Sequence, residues 1–175
     1  YLRQQGPLHE VLLRENGKYV LVFDWGGGTL DLTLCKILNG TIHQVFNRGN
    51  NNVGGDFIDE AIAEHIIQKH AQQYQWDEAK LQSVVQAKRS ELIRECESAK
   101  IALSSIEKGA IYIDDYFEHS GDDSDIIFEL TRSDLDAISM RFVEEGIGEI
   151  ESLLSRDVAN LDARQISFCL ATGGM

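Results

Sequence analysis

The sequence predicts an α/β fold, and three observations carry that prediction. Residues 20–23 form a continuous apolar run (VLVF), and residues 30–34 (LDLTL) alternate apolar with polar side chains. These are the patterns of a buried strand and of a strand with one polar face. Residues 77–104 are rich in Ala, Glu, Lys, Gln and Leu, which favour helix. A last apolar run, residues 166–171, predicts another strand, so we expect a sheet covered by helices.

Length, charge and cysteine content limit the class of protein. The 175 residues suffice for a domain with a real core, and 43% hydrophobic with 26% charged residues is typical of soluble globular proteins. A net charge of −13 disfavours non-specific binding to nucleic acid and docking onto anionic membrane. Neither a membrane span nor a signal peptide is evident. Three widely spaced cysteines without a C-x-x-C pair fit a reducing cytoplasm, which is the expected location.

Three consecutive glycines join the first two predicted strands, in the segment DWGGGTLD at residues 24–31. Glycine lacks Cβ, so this backbone can adopt positive φ and approach a ligand, and successive amides can bind one phosphate. Asp24 and Asp31 flank the turn. Carboxylates beside a phosphate repel it unless a cation lies between them, and Mg²⁺ takes one or two carboxylates plus phosphate oxygens. The segment therefore predicts a magnesium–phosphate site, with a glycine hairpin and solvated aspartates as the alternative.

The segments after this turn predict the remaining elements in order. Asn-Gly at residues 39–40 predicts a tight turn into a third antiparallel strand over residues 41–48. Asp56 follows a glycine-rich stretch and is a candidate N-cap for a helix over residues 57–75. Residues 1–17 are weakly patterned and receive no element and no function.

The second half predicts one long helix over residues 77–104 and then a hairpin of strands over residues 110–116 and 126–130. The acidic turn between these strands lacks the spacing of a calcium loop, so we expect a solvated hairpin tip. Residues 131–134 (TRSD) form a capping box with Asp in place of the usual Glu, and predict the start of another helix.

The segment FDWGGGTLDLTL resembles the second phosphate motif of the actin-like ATPase superfamily. It is most similar to the seventy-kilodalton heat-shock chaperones of the DnaK type. The resemblance implies a ribonuclease H-like lobe with a mixed sheet, covering helices and a smaller α+β subdomain. It also implies that Asp24 and Asp31 hold Mg²⁺ through water, and that the turn contacts the β- and γ-phosphates of ATP or ADP. The phosphate contacts carry over to Gly26, Gly27, Gly28 and Thr29.

Three further segments resemble the chaperones and occur in the family's order. VGGDFIDEAI resembles the segment that opens the smaller subdomain, ESAKIALS the segment that binds adenosine, and FCLATGG the second adenosine motif. Each has a plain alternative: a helix start, an exposed ion pair beside a serine, and a strand followed by a glycine turn. The nucleotide-contacting roles implied by these resemblances carry over to Gly54, Gly55, Glu97, Lys100, Ser104, Gly173 and Gly174.

One departure from the family pattern bears on adenine binding. Ile101 stands where these chaperones usually have an arginine that packs against adenine. An apolar side chain can still cover the base, but the cation–π contribution is absent. Adenine affinity and selectivity therefore depend on how much that contribution matters in this chain.

The resemblance covers residues 18–174 and implies most of the second lobe of a nucleotide-binding domain, so we expect a piece of a longer protein. Its implied parts are a leading segment (1–17), a larger subdomain (18–52), a smaller subdomain (53–130) and a truncated return to the larger one (131–175). The implied partners are the first lobe and peptide-binding domain of the same chain, unfolded clients, co-chaperones and a nucleotide exchange factor.

Because half of an interlobe cleft cannot position water, metal and γ-phosphate together, we expect ATP hydrolysis in the full-length protein and negligible activity in this piece. The alternatives are a sugar kinase, a filament-forming actin relative, or a nucleotide-free interaction protein on the same fold. The adenosine segment favours the chaperone over the first two alternatives, and Ile101 is the main support for the third.

Overall fold

The computed structural model describes residues 7–83, 86, 88–118, 123–155 and 158–174. The chain divides into two compact units. The sheet unit comprises Tyr1–Gly55 and Phe142–Met175, and the hairpin unit comprises Asp56–Arg141. Within the described ranges, none of the helices combines the length and the apolar character needed to cross a membrane.

Eleven labelled elements follow one another along the described chain. They are α1 (Pro7–Arg14), β1 (Tyr19–Trp25), β2 (Leu30–Leu38), β3 (Thr41–Asn50), α2 (Gly55–Gln73), α3 (Glu78–Ser83), α4 (Arg89–Ala102), β4 (Lys108–Ile113), β5 (Ile126–Thr131), α5 (Arg132–Leu154) and β6 (Ile166–Gly173).

The predicted three-stranded meander is confirmed and forms most of a four-stranded sheet in the order β3-β2-β1-β6. β2 pairs antiparallel with both β1 and β3, whereas β6 pairs parallel with β1, so the sheet is mixed. Asn39 and Gly40 form the turn between β2 and β3 with φ values of 52° and 75°. Both angles are left-handed, as a two-residue hairpin turn requires.

Alternation along β2 sets the core of the sheet unit. Leu30, Leu32 and Leu34 are almost fully buried, while Asp31 between them is exposed. Since successive side chains of a strand point to opposite faces, one face of β2 packs inward and the other presents the polar residues. The same alternation places the predicted metal ligand outside the core.

Helix α1 lies in the segment to which the sequence assigned no element, so that assignment is wrong. Pro7 occupies its first position, where a missing N–H costs nothing because the first helical amides have no intrahelical acceptor. Only Leu12 of this helix is buried, and it packs with Val20, Cys35 and Ile37 of the sheet. The eight residues of α1 are too few for periodicity alone to identify a helix.

Helix α2 is confirmed, but its start is corrected. It begins at Gly55, so Asp56 lies inside its first turn and is not the N-cap. An acidic side chain there still interacts favourably with the positive end of the helix dipole. The apolar face of this helix, formed by Ile58, Ile62, Ile66 and Ile67, is buried.

The single helix predicted over residues 77–104 is wrong, because the structure has two helices there. α3 ends at Ser83 and α4 begins at Arg89, while Val84, Val85 and Ala87 lie outside the described residues. Helix α4 buries Leu92, Cys96 and Ala99, and burial raises the pKa of the Cys96 thiol to about 12. Helix-favouring composition runs through the whole stretch, so propensity alone does not reveal the interruption.

The predicted hairpin and capping box are confirmed in the hairpin unit. β4 and β5 pair antiparallel from Lys108 opposite Thr131 to Ile113 opposite Ile126. At the start of α5, Thr131 Oγ1 accepts a hydrogen bond from Asp134 N at 3.1 Å, and Asp134 Oδ2 accepts one from Thr131 N at 3.0 Å. These contacts lower the pKa of Asp134. Part of the acidic hairpin tip, residues 119–122, lies outside the described residues.

Candidate functional site

The triple-glycine segment forms the predicted turn between β1 and β2. Gly26 N donates a hydrogen bond to Thr29 O at 2.9 Å and closes a four-residue connection. Gly26, Gly27 and Gly28 are not among the glycines with positive φ, so the expected use of that conformation is wrong. The tight packing at this turn instead depends on Gly54, in the segment that lies against it.

Gly54 and Gly55 lie directly against this turn. Gly55 N donates a hydrogen bond to Gly26 O at 3.1 Å. A Cβ atom on Gly54 would lie 2.3 Å from Gly27 O and 2.8 Å from Gly28 C, far closer than real Cβ contacts. Two segments that the sequence assigned separately to the nucleotide are therefore in contact within the sheet unit.

The two predicted metal ligands face each other. Asp24 on β1 and Asp31 on β2 are directly opposite in the antiparallel register, and both are exposed. Directly opposite residues share one face of the sheet and are close neighbours, so two like charges there repel. A divalent cation relieves that repulsion, and paired carboxylate oxygens suit Mg²⁺. Thr29 Oγ1 donates a hydrogen bond to Asp31 Oδ2 at 3.1 Å and orients one of the two carboxylates.

Gly49 is a site residue that the sequence analysis missed. It is the β3 partner of Asp31, and a Cβ atom there would lie 2.9 Å from Asp31 Oδ1. Gly49 therefore leaves room for that carboxylate. The available signal was a glycine near the end of a predicted strand, which often marks a close approach of another group.

Strand β6 brings the last glycine motif to the same end of the sheet. Gly173 pairs with Trp25, and Thr172 pairs with Asp24. Gly173 has a φ of 111°, and a Cβ atom there would lie 2.0 Å from Trp25 O. Gly174 has no atom within 4 Å of such a Cβ position. The triple-glycine turn, Gly54–Gly55 and Gly173 thus lie close together within the sheet unit.

The predicted adenosine residues lie in the hairpin unit. Glu97 is exposed on α4, whereas Ser104 follows the end of this helix and its Oγ donates a hydrogen bond to Ile101 O at 2.7 Å. Ser104 therefore lies beyond the helix that carries Glu97 and Lys100. Ile101 is 60% exposed.

Lys100, the third of these residues, forms an ion pair that the sequence analysis missed. Its Nζ lies 2.8 Å from Asp59 of α2. The pKa of the Asp59 carboxyl is raised, with burial as the largest cause, and Lys100 acts in the opposite direction. Asp59 follows the predicted helix start by a few residues, but no sequence pattern connects it with Lys100, which is 41 residues away.

A mixed sheet with helices, and a glycine turn between two facing carboxylates, define a lobe of the actin-like ATPase fold. The family model described as "Hsp70 protein" matches residues 11–175 of this sequence. The chain belongs to the Hsp70 family, and the suspected resemblance to the DnaK-type chaperones is thereby confirmed.

Two relatives illustrate the similarity. The chain is 27% identical over 161 residues to "Heat shock protein 70 homolog" of Acanthamoeba polyphaga mimivirus, covering 92% of this chain and 16% of that protein. It is 30% identical over 161 residues to "Chaperone protein DnaK" of Mycoplasmopsis pulmonis (strain UAB CTIP), covering 92% of this chain and 26% of that protein. The chain therefore spans about a quarter or less of the length of these two relatives.

Proposed function

We propose that this chain is most of the second lobe of the nucleotide-binding domain of a DnaK-like chaperone, and that it holds the phosphates of magnesium-bound ATP or ADP. The observation that carries the proposal is the pair of facing carboxylates, Asp24 and Asp31, at the glycine turn. Two carboxylates this close repel each other, and a bound cation would remove that repulsion.

Each part of the turn has a distinct role in this proposal. Asp24 and Asp31 hold Mg²⁺ through water, and the cation neutralises phosphate charge. Gly26, Gly27, Gly28 and Thr29 contact the phosphates, and charge-assisted hydrogen bonds of this kind are each worth roughly 1.5–3 kcal/mol. Gly54 allows the start of α2 to lie against the turn without displacing it.

In the complete protein, Glu97, Lys100 and Ser104 hold the nucleoside, and Gly55, Gly173 and Gly174 pass close to the nucleotide. ATP hydrolysis there controls the binding of unfolded clients, with a first lobe, a peptide-binding domain, co-chaperones and a nucleotide exchange factor as partners. The cytoplasmic location and the subdomain boundaries also belong to this proposal. Family membership supports it, since the relatives named above are a heat-shock homologue and a chaperone.

Calorimetric titration of MgADP and MgATP into the complete natural protein tests the proposal. We expect saturable, magnesium-dependent binding that is lost in Asp24→Ala. The matched control is Glu144→Ala, which removes an exposed carboxylate of the sheet unit that has no ion-pair or hydrogen-bond partner among the described residues. No heat from a folded wild-type protein, or equal binding by Asp24→Ala, contradicts the proposal.

A nucleotide-free interaction protein is the second candidate. It is favoured by Ile101, which is 60% exposed and stands in place of an arginine. The double change Glu97→Ala and Lys100→Ala separates the two functions. It weakens nucleotide binding in the chaperone and leaves an interaction protein's partner binding unchanged.

Replacing Gly49 by alanine is expected to weaken magnesium-dependent nucleotide binding about tenfold, which corresponds to about 1.4 kcal/mol. The new methyl group would lie 2.9 Å from Asp31 Oδ1, so this carboxylate must turn away. Its stability cost should be small, because the contacting atom is the end of a side chain that can rotate. Calorimetry with and without Mg²⁺ measures the effect.

Gly148→Ala is the control for this variant, because a Cβ atom at Gly148 meets no atom within 4 Å. Gly148 lies within helix α5, where alanine should stabilise the protein by about 0.5–1 kcal/mol and leave binding unchanged. Unaltered magnesium dependence in Gly49→Ala would show that Asp31 needs no such room.

A further inference from the structure

The ion pair between Asp59 and Lys100 joins α2 to α4 inside the hairpin unit. Asp59 is 3% exposed, and the Lys100 side chain is 17% exposed. Lys100 Nζ lies 2.8 Å from each of the two carboxylate oxygens. It donates a hydrogen bond to Oδ2, whereas Oδ1 is at ion-pair distance without a hydrogen bond from any described residue. The terminal atom of a long side chain is thus held at two points.

A contribution to the stability of the fold does not account well for this buried ion pair. Removing a carboxylate and an ammonium from water is costly, and their attraction offsets that cost only with good geometry and further hydrogen bonds. Here the pKa of Asp59 is raised, with burial as the largest single cause, even though Lys100 acts to lower it. Within the described part of the chain, Asp59 Oδ1 also has no hydrogen bond. Two apolar side chains in the same place would avoid both costs.

The pair does have a clear effect on Lys100. A lysine side chain has considerable rotamer entropy, and a ligand that orders the ammonium group must overcome it. Asp59 orders that group before any ligand arrives. Preorganisation of this kind strengthens binding without adding a contact to the ligand.

We propose that Asp59 is a positioning residue that fixes Lys100 Nζ for the ribose hydroxyls of the bound nucleotide. This inference rests on the proposed function, which assigns Lys100 to the nucleoside. Asp59 acts only through Lys100. Glu97 lies three residues earlier on α4, so a hydroxyl donor can meet a carboxylate acceptor one helical turn from the ordered ammonium.

The test compares MgADP with its 2′-deoxy and 3′-deoxy analogues by calorimetry on the complete natural protein. We expect the wild type to prefer ADP over at least one analogue. Asp59→Asn keeps the side-chain size and an acceptor but loses the charge, and should weaken ADP binding about tenfold and abolish that preference. In a Lys100→Met background, Asp59→Asn should have no further effect, as a double-mutant cycle requires for a residue that acts through another.

Glu64→Gln is the matched control, because Glu64 on α2 also forms an ion pair with a residue of α4, Arg89. It should retain the preference for ribose hydroxyls. A purely structural role for Asp59 would alter stability in Asp59→Asn but not this preference.

The outcomes are distinguishable. A folded wild-type protein that binds no MgADP overturns the proposed function, and this inference with it. A folded Asp59→Asn protein that retains the preference overturns the positioning role alone. If Asp59→Asn does not fold, Lys100→Met decides, since an unchanged preference there shows that no ammonium contacts the sugar.

Discussion

Alanine at Gly54 is expected to weaken magnesium-dependent nucleotide binding by about a hundredfold. A Cβ atom at this position would lie 2.3 Å from Gly27 O and within 2.8 Å of two backbone carbon atoms of the triple-glycine turn. The contacted atoms belong to the backbone, so no side-chain rotation relieves the overlap, and the turn itself must move. Loss of two charge-assisted hydrogen bonds of roughly 1.5 kcal/mol each gives a decrease of this size.

Calorimetric titration with MgADP measures this loss, with circular dichroism to show that the variant is folded. The glycine-to-alanine change at Gly148 again serves as the comparison, since it adds the same methyl group in open space. Wild-type affinity in a folded Gly54→Ala protein would mean that the turn tolerates displacement, and would remove the role proposed for Gly54.

The largest expected effect on stability comes from Gly173→Ala. Its φ of 111° is one that residues with a side chain rarely adopt, and its Cβ atom would lie 2.0 Å from Trp25 O. Backbone strain of about 1–2 kcal/mol and overpacking of about 1–3 kcal/mol together lower the free energy of unfolding by about 2–5 kcal/mol. We expect this substitution to weaken the parallel pairing of β6 with β1.

Urea unfolding followed by tryptophan fluorescence measures this effect. The sequence has two tryptophans, of which Trp25 pairs with Gly173, so a Trp76→Phe background leaves Trp25 as the reporter. Gly174→Ala is the control, because its Cβ meets nothing within 4 Å and its φ is not left-handed. Equal midpoints for the two variants would contradict the strain argument.

Local chemistry explains which parts of the fold were predictable. The period of two in β2, the Asn39-Gly40 turn and the capping box at Thr131 each depend on residues close together in sequence. The glycine turn and its two aspartates were likewise predictable, because they are adjacent along the chain and their register follows from the turn between them.

Gly49 shows why other parts of the site were not predictable. Counting from the turn, in which Leu38 pairs with Thr41, an unbroken register would place Arg48 opposite Asp31. The register shifts between Leu34 and Cys35, and this irregularity brings Gly49 opposite Asp31 instead. A one-residue shift of this kind depends on tertiary packing, and the local sequence pattern does not reveal it.

Contacts between segments that are distant in sequence were also not predictable. The pairing of Asp59 with Lys100 appears only when α2 and α4 pack together. Helix α1 likewise contacts the sheet through Leu12, which packs against residues of β1 and β2.

The order of strands also governs how this chain behaves in concentrated solution. In the described sheet, β3 and β6 each have a strand neighbour on one side only, and Ile42, Phe46, Phe168 and Leu170 on them are 37–52% exposed. A sheet border of this kind can accept another strand, including one from a second copy. Mutual repulsion from a net charge of −13 opposes such contact. Salt shortens the range of that repulsion to about 10 Å at 0.1 M, so the colloidal stability of the chain decreases as ionic strength rises.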